Sequence, residues 1–239
     1  MITLSPSSLS DFQKSPLMFW LKKNMQIEVP RGAFPSLPGG IDRVLKAHYD
    51  LCRLNGDMPP ELKGSKIPEQ VELFKDQVKL KRWRFWKTGL QVQVTPEITV
   101  SGALDDLLYD PFTKLYNVLD YKTRGAAPKD GATEQYYGTQ ADTYDLMLRA
   151  NGMNTTGVGY FAYYWPLMTC QAPPATHIGF GFAVEVVSIK TDSQRAAELA
   201  VKAAACLEGP MPDVDPNNEV EAFLVEAFKA LGKRIPVPA

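Results

Sequence analysis

Cysteine is scarce in this chain: Cys52, Cys170 and Cys206 are its only three among 239 residues. Their number is odd and their spacing wide, which argues against a disulfide framework and against a metal site built from closely paired cysteines. Free or buried thiols suit a reducing compartment. A charge excess is also lacking, with 26 basic against 27 acidic residues. Contact with nucleic acid would therefore need a local basic patch. No apolar run approaches the roughly 18 residues that span a bilayer. The opening MITLSPSSLSDFQKSP has no charged segment leading into an apolar one, so no secretory leader is expected and the expected location is cytoplasmic. Internal repeats, long low-complexity tracts and a Gly-x-x-x-x-Gly-Lys-[Ser/Thr] loop are missing too, the last excluding a helicase motor within this chain.

What is present is ordinary globular composition, 45% hydrophobic and 22% charged, enough for one large domain. The expected division is a helical N-terminal part over 1–88, a sheet and helix over 89–190, and C-terminal helices over 191–239. Two short helices open the chain, the first capped by Ser7 or Ser8 and the second by Ser15 ahead of Pro16. IDRVLKAHYDLCRLNG predicts an amphipathic helix through Ile41, Val44, Leu45, Tyr49 and Leu51 or Cys52, stopped by Gly56. EQVELFKDQVKLKRWRFWKTG starts as helix and turns basic. A meander of about three strands follows, then a helix over 128–153, two strands, and helices beginning near Asp192 and Asn217. This order predicts an α/β fold with a mixed central sheet flanked by helices.

In the basic segment, Lys79, Lys81, Arg82 and Arg84 interleave with Trp83, Phe85 and Trp86. Cations beside exposed rings suit phosphates and stacked bases. The alternative is a solvated face with the rings turned inward.

The chemistry concentrates in SGALDDLLYDPFTKLYNVLDYKTRG. Strand alternation puts Asp120 and Lys122 on one face and Tyr121 on the other. A hairpin turn centred near residue 112 pairs Asp105 with Leu119 or Asp120, so Asp105 and Asp120 converge. Asp106, one step off, faces elsewhere. Two carboxylates and the Tyr121 carbonyl make an all-oxygen site for Mg²⁺ or Mn²⁺. Lys122 beside such an ion suits hydrolysis of a phosphodiester by metal-activated water. A structural Asp120–Lys122 ion pair is the plainer alternative.

These residues, with Gln140-x-x-x-Tyr144 on a helix and the Ser-rich start LSPSSLSDFQKSPLMFWLKK, resemble the PD-(D/E)xK nuclease superfamily, and within it the RecB-like exonuclease branch. The resemblance covers most of the chain. It implies a restriction-endonuclease-like core, with Asp105 and Asp120 as metal ligands and Lys122 as the catalytic lysine. Gln140 and Tyr144 would touch the metal site or the DNA backbone; four residues apart, they share a helix face. An early-helix ligand falls to Asp42, which keeps Val44 and Leu45 in apolar slots, with His48 as the alternative. Some relatives, including CRISPR-associated RecB-like nucleases, hold an iron–sulfur cluster through four cysteines. Here Ser15 stands in the first of those slots and the tail GPMPDVDPNNEVEAF has none, so no cluster is expected. Trp20, Phe223 and Phe228 are then expected to hold the termini together by packing.

The resulting expectation is a metal-dependent deoxyribonuclease acting on single strands or duplex ends, by exonuclease action. The competing one is a catalytically weak nucleic-acid-binding subunit of a helicase–nuclease, CRISPR or recombination complex. Protein partners and an oligomeric assembly are both compatible with this sequence, and no membrane partner is expected.

Overall fold

A computed structural model describes residues 1–27, 36–167 and 181–230. Cys170 lies outside these residues. The chain opens on a short strand, β1 (Ile2–Leu4), and two helices, α1 (Pro6–Lys14) and α2 (Pro16–Asn24). Ser5, not Ser7 or Ser8, caps α1, because Ser5 and Ser8 exchange reciprocal backbone bonds in a capping box. Ser15 caps α2, its side chain accepting from the Met18 amide at 2.9 Å, with Pro16 at the first helical position. Helix α3 (Ser36–Asn55) ends as expected at Gly56, whose φ is 75°. Only part of its predicted apolar face is buried. Leu45 and Tyr49 face the core, while Val44 is 68% exposed.

The segment expected to begin as helix instead forms strand β2 (Glu72–Leu73) before helix α4 (Gln77–Trp83). Leu73 pairs across to Leu108, and Asp76 caps α4 by accepting from the Lys79 amide at 3.0 Å. Tertiary pairing thus overrides local helix propensity in the first half of the segment.

The meander has four strands and divides between two sheets. β3 (Leu90–Thr95) and β4 (Ile98–Gly102) form a hairpin that joins β1, in the order β1-β4-β3. β5 (Asp106–Tyr109) and β6 (Tyr116–Thr123) belong to a five-stranded sheet with β7 (Thr155–Pro166) and β8 (Phe182–Lys190), in the order β2-β5-β6-β7-β8. The hairpin packs tightly where it leaves the chain. A Cβ on Gly89 would lie 2.2 Å from the Gly102 carbonyl oxygen, so only glycine fits there.

β5–β6 and β7–β8 are antiparallel, whereas β6–β7 is parallel. Helix α5 (Ala132–Ala150) makes the crossover that this parallel pair requires. The larger sheet is therefore mixed and flanked by helices. On one face Val118 and Leu107 pack with Tyr144, Met147 and Leu148 of α5 and Ala200, Ala203 and Ala204 of α6 (Ser193–Glu208). On the other, Leu108, Leu119, Tyr121 and Tyr160 pack with Leu45 and Tyr49 of α3. Each fully buried Leu or Met contributes roughly 1.5–3 kcal/mol.

The last helix, α7 (Glu219–Ala230), closes back on the first two. Trp20 does pack there, but with Met211, Val214 and Leu224, while Phe223 is exposed and Phe228 is not part of that cluster. Polar ties reinforce the closure. The Ser15 hydroxyl donates to the buried Glu221 carboxylate, and Asn218 Nδ2 donates to the Lys14 carbonyl at 2.7 Å.

Candidate functional site

Asp110 builds the turn that aligns β5 with β6. Its carboxylate accepts from the Phe112 and Thr113 amides at 2.8 and 3.2 Å, and Lys114 takes φ 62° to complete the reversal. Asp106 then pairs with Leu119; continuing that register to the residue before β5 sets Asp105 against Asp120, and their carboxylates are in hydrogen-bond contact. Directly opposed residues of an antiparallel pair share a face, so the two carboxylates meet beside α5. Lys122, two residues beyond Asp120 on β6, projects to the same side and forms an ion pair with Asp120 Oδ2.

Gln140 of α5 ties this group together. Its Oε1 accepts from Lys122 Nζ at 3.2 Å. Its Nε2 lies 3.3 Å from Asp120 Oδ1 and donates at 2.8 Å to the Tyr144 hydroxyl one helical turn away. Tyr144 is buried, and burial raises its hydroxyl pKa well above the ordinary value. It therefore remains protonated, supporting Gln140 from within.

Asp120 is completely buried. Burial pushes its carboxyl up; Lys122 pulls it down and the neighbouring Asp105 charge pushes it up again, leaving it at about 7. The Lys122 pKa is raised as well. Burial alone would lower it, but Asp120 and Asp105 outweigh burial and hold it above the ordinary lysine value. Lys122 is thus a fixed cation, with Nζ 4.5 Å from the Tyr137 ring centroid.

A third carboxylate approaches from α3, but through a lysine. Lys46 Nζ lies 2.9 Å from Asp42 Oδ2 and 2.9 Å from Asp105 Oδ1. Asp42 therefore reaches the Asp105–Asp120 pair only by way of Lys46. For the same reason, no three His, Cys, Asp or Glu side chains among the described residues converge as a ready metal cluster. His48 points away from the site and bonds Glu61 at 2.9 and 3.2 Å. The Tyr121 side chain also leaves the site, as the alternation requires, and packs against Tyr49 with the rings tilted by 51° and 4.3 Å between centroids.

The residues present fit a hard divalent cation. Asp120 Oδ2 is buried, with the Lys122 ammonium as its close neighbour. The cluster sets three carboxylates, Asp42, Asp105 and Asp120, against the two ammonium groups of Lys46 and Lys122. Carboxylate oxygens gathered in one partly buried cluster are the hard-oxygen donors that favour Mg²⁺ or Mn²⁺.

Directly behind the site, on the α3 face, lies a buried charge network. Asp106 receives Arg53 Nη2 at 2.6 Å, Arg84 Nη2 at 3.0 Å and the Tyr121 hydroxyl. Arg84 also holds Asp50 through two contacts of 2.9 Å and donates from Nε to the Asp105 carbonyl at 2.7 Å. Its side chain is only 10% exposed. Arg84 is thereby turned inward and separated from Lys79, Lys81 and Arg82, which are exposed on and beside α4. The aromatics of that segment divide as well: Trp83 stacks on Phe74 at 5.5 Å, while Phe85 and Trp86 are exposed.

Sequence reasoning missed Lys46, Arg53 and Asp50. The one available signal was spacing on α3, since Asp42 and Lys46 are four apart, and Asp50 and Arg53 follow on the next turns.

Residues 61–222 match the family model described as the PD-(D/E)XK nuclease superfamily. No curated protein matches the chain. The matched span contains both sheet strands that carry the carboxylates, Lys122 and the Gln140 helix, and it accords with the restriction-endonuclease-like arrangement of the mixed sheet.

Proposed function

The chain belongs to the PD-(D/E)XK nuclease superfamily, and on that premise we propose that it is a Mg²⁺- or Mn²⁺-dependent deoxyribonuclease with exonuclease action. The observation that carries the reading is the meeting of the Asp105 and Asp120 carboxylates at the end of the β5–β6 pair, with Lys122 beside Asp120. Asp105 and Asp120 would hold the cation, which when bound supplies Lewis-acid charge for phosphodiester hydrolysis.

The chain's own groups do the rest. Lys122 stays protonated, so it serves as a positive charge for a phosphoryl oxygen and not as a base. Gln140 orients Lys122 and Asp120 at once, through opposite ends of one amide. Burial beside α5 keeps water away from Asp120 and strengthens the pull of Lys122 on an incoming anion. Asp42 acts on Asp105 through Lys46.

The test uses labelled single-stranded and double-stranded DNA, and RNA, incubated with Mg²⁺ or Mn²⁺. Wild type is expected to cut DNA only with metal, and Lys122→Ala and Asp120→Ala each to abolish cutting. No metal-dependent cleavage of any substrate would sink the enzyme reading. DNA bound tightly but left uncut would favour the binding-subunit alternative.

A further inference from the structure

A groove of about 1000 Å³ runs past the site, with Gln140 and Tyr144 in its wall. Its cations and exposed rings come from three distant parts of the chain: Lys14 and Lys23 from α1 and α2, Trp86 and Lys87 from the loop after α4, and Tyr136 from α5. Lys14, Lys23 and Lys87 are all exposed. So are two large rings, Trp86 at 67% and Tyr136 at 58%. Lys87 Nζ lies 5.3 Å from the Trp86 ring centroid, which sets a cation beside a flat aromatic face. The one acid of the groove's α1 wall, Asp11, is already paired with Lys22 at 2.9 Å.

We infer that this groove binds single-stranded nucleic acid, with an unpaired base stacked on Trp86 and the backbone phosphates following Lys14, Lys23 and Lys87 toward Gln140. Three features together select that ligand. Cations along a channel attract a polyanion. Exposed rings reward bases whose faces are free, which are those of a single strand, since bases within a duplex already stack on their neighbours. The groove is also lined by Gln140, whose amide touches both Asp120 and Lys122. The inference deepens the nuclease reading and rests on it for its direction, but the binding surface stands on its own residues. It also moves the contact surface away from Lys79, Lys81 and Arg82, which do not line the groove.

The test is fluorescence anisotropy with labelled oligothymidylate in EDTA, where no metal-dependent cutting occurs, against a blunt duplex of equal length. Wild type is expected to bind the single strand more tightly than the duplex. Trp86→Ala is expected to weaken single-strand binding about tenfold while Trp86→Phe retains most of it, as a stacking contact requires. Lys87→Ala is expected to lower the salt slope of binding by about one. Trp86 is exposed, so its replacement leaves the fold intact, and an unchanged affinity in Trp86→Ala would overturn the proposal. Equal affinity for the duplex would overturn it too, as would loss of binding in a Lys79→Ala, Lys81→Ala, Arg82→Ala triple variant with Trp86→Ala unaffected. Because the assay contains no metal, lost cleavage with this binding intact counts against the nuclease reading alone. Cleavage that survives without this binding counts against the groove alone.

Discussion

Arg84 Nε donates to the Asp105 carbonyl at 2.7 Å, from the opposite face of the sheet to the one on which the Asp105 carboxylate meets Asp120. The same guanidinium is clamped by Asp50 and Asp106. Arg84 is thus a positioning residue, setting the backbone of a carboxylate that it does not touch through its side chain. Lysine keeps the charge but lacks the planar fork. Arg84→Lys is expected to weaken Mn²⁺ binding roughly tenfold, the scale of losing an outer-shell partner. Isothermal titration measures it. Arg84→Ala leaves Arg53 as the remaining cation on Asp106 and Asp50 and is expected to cost about 1–3 kcal/mol in urea unfolding.

Lys46 occupies with its ammonium the space between Asp42 and Asp105. A divalent ion must compete with it. Lys46→Met, which preserves the stem, is expected to tighten Mn²⁺ binding roughly two- to fivefold, the scale of a partly exposed ion pair. Electron paramagnetic resonance of free Mn²⁺ reads this directly. Weaker binding in Lys46→Met would show that the lysine supports the ion instead of standing in for it.

Asp120 links metal binding to pH. Its folded-state pKa is raised to about 7, chiefly by burial. The unfolded carboxyl titrates near about 3.9, so between those values the folded protein holds a proton that the unfolded chain has released. Without metal, stability therefore falls as pH rises through that window and levels off above it. A bound cation takes the proton's place, so affinity rises with pH up to about 7. Melting curves from pH 5 to pH 8 are expected to show the temperature gap between Mg²⁺ and EDTA samples widening with pH. A gap that is constant across the range would contradict the assignment of Asp120 as a ligand.

Gln140 links Asp120, Lys122 and Tyr144 through one amide. Gln140→Ala removes every link, and cleavage is expected to fall about 10- to 100-fold. Tyr144→Phe removes only the hydroxyl that receives the Gln140 amide, so a smaller loss is expected. Single-turnover rates at saturating metal separate the two variants.

Much of this was legible in the residues alone. Alternation decided that Asp120 and Lys122 share a face and that Tyr121 and Asp106 do not, because strand side chains repeat every two residues whatever surrounds them. The turn at Asp110 brought Asp105 opposite Asp120 because a short hairpin leaves little freedom of register. Helical spacing joined Gln140 to Tyr144. Local chemistry also set the Ser15–Pro16 cap.

Other features waited for the tertiary structure. Leu90–Gly102 reads like the strands after it, yet it joins β1 in a separate sheet, since pairing depends on which edge is free nearby. Arg84 sits in a run of surface cations and still turns inward, because Asp50 and Asp106, distant in sequence, meet it there. Asp42 was separated from the carboxylate pair by Lys46, one helical turn along. Short-range periodicity and capping determine the faces of an element and where it starts. Which charge meets which depends on contacts between residues far apart in the chain, and those form only when the elements pack.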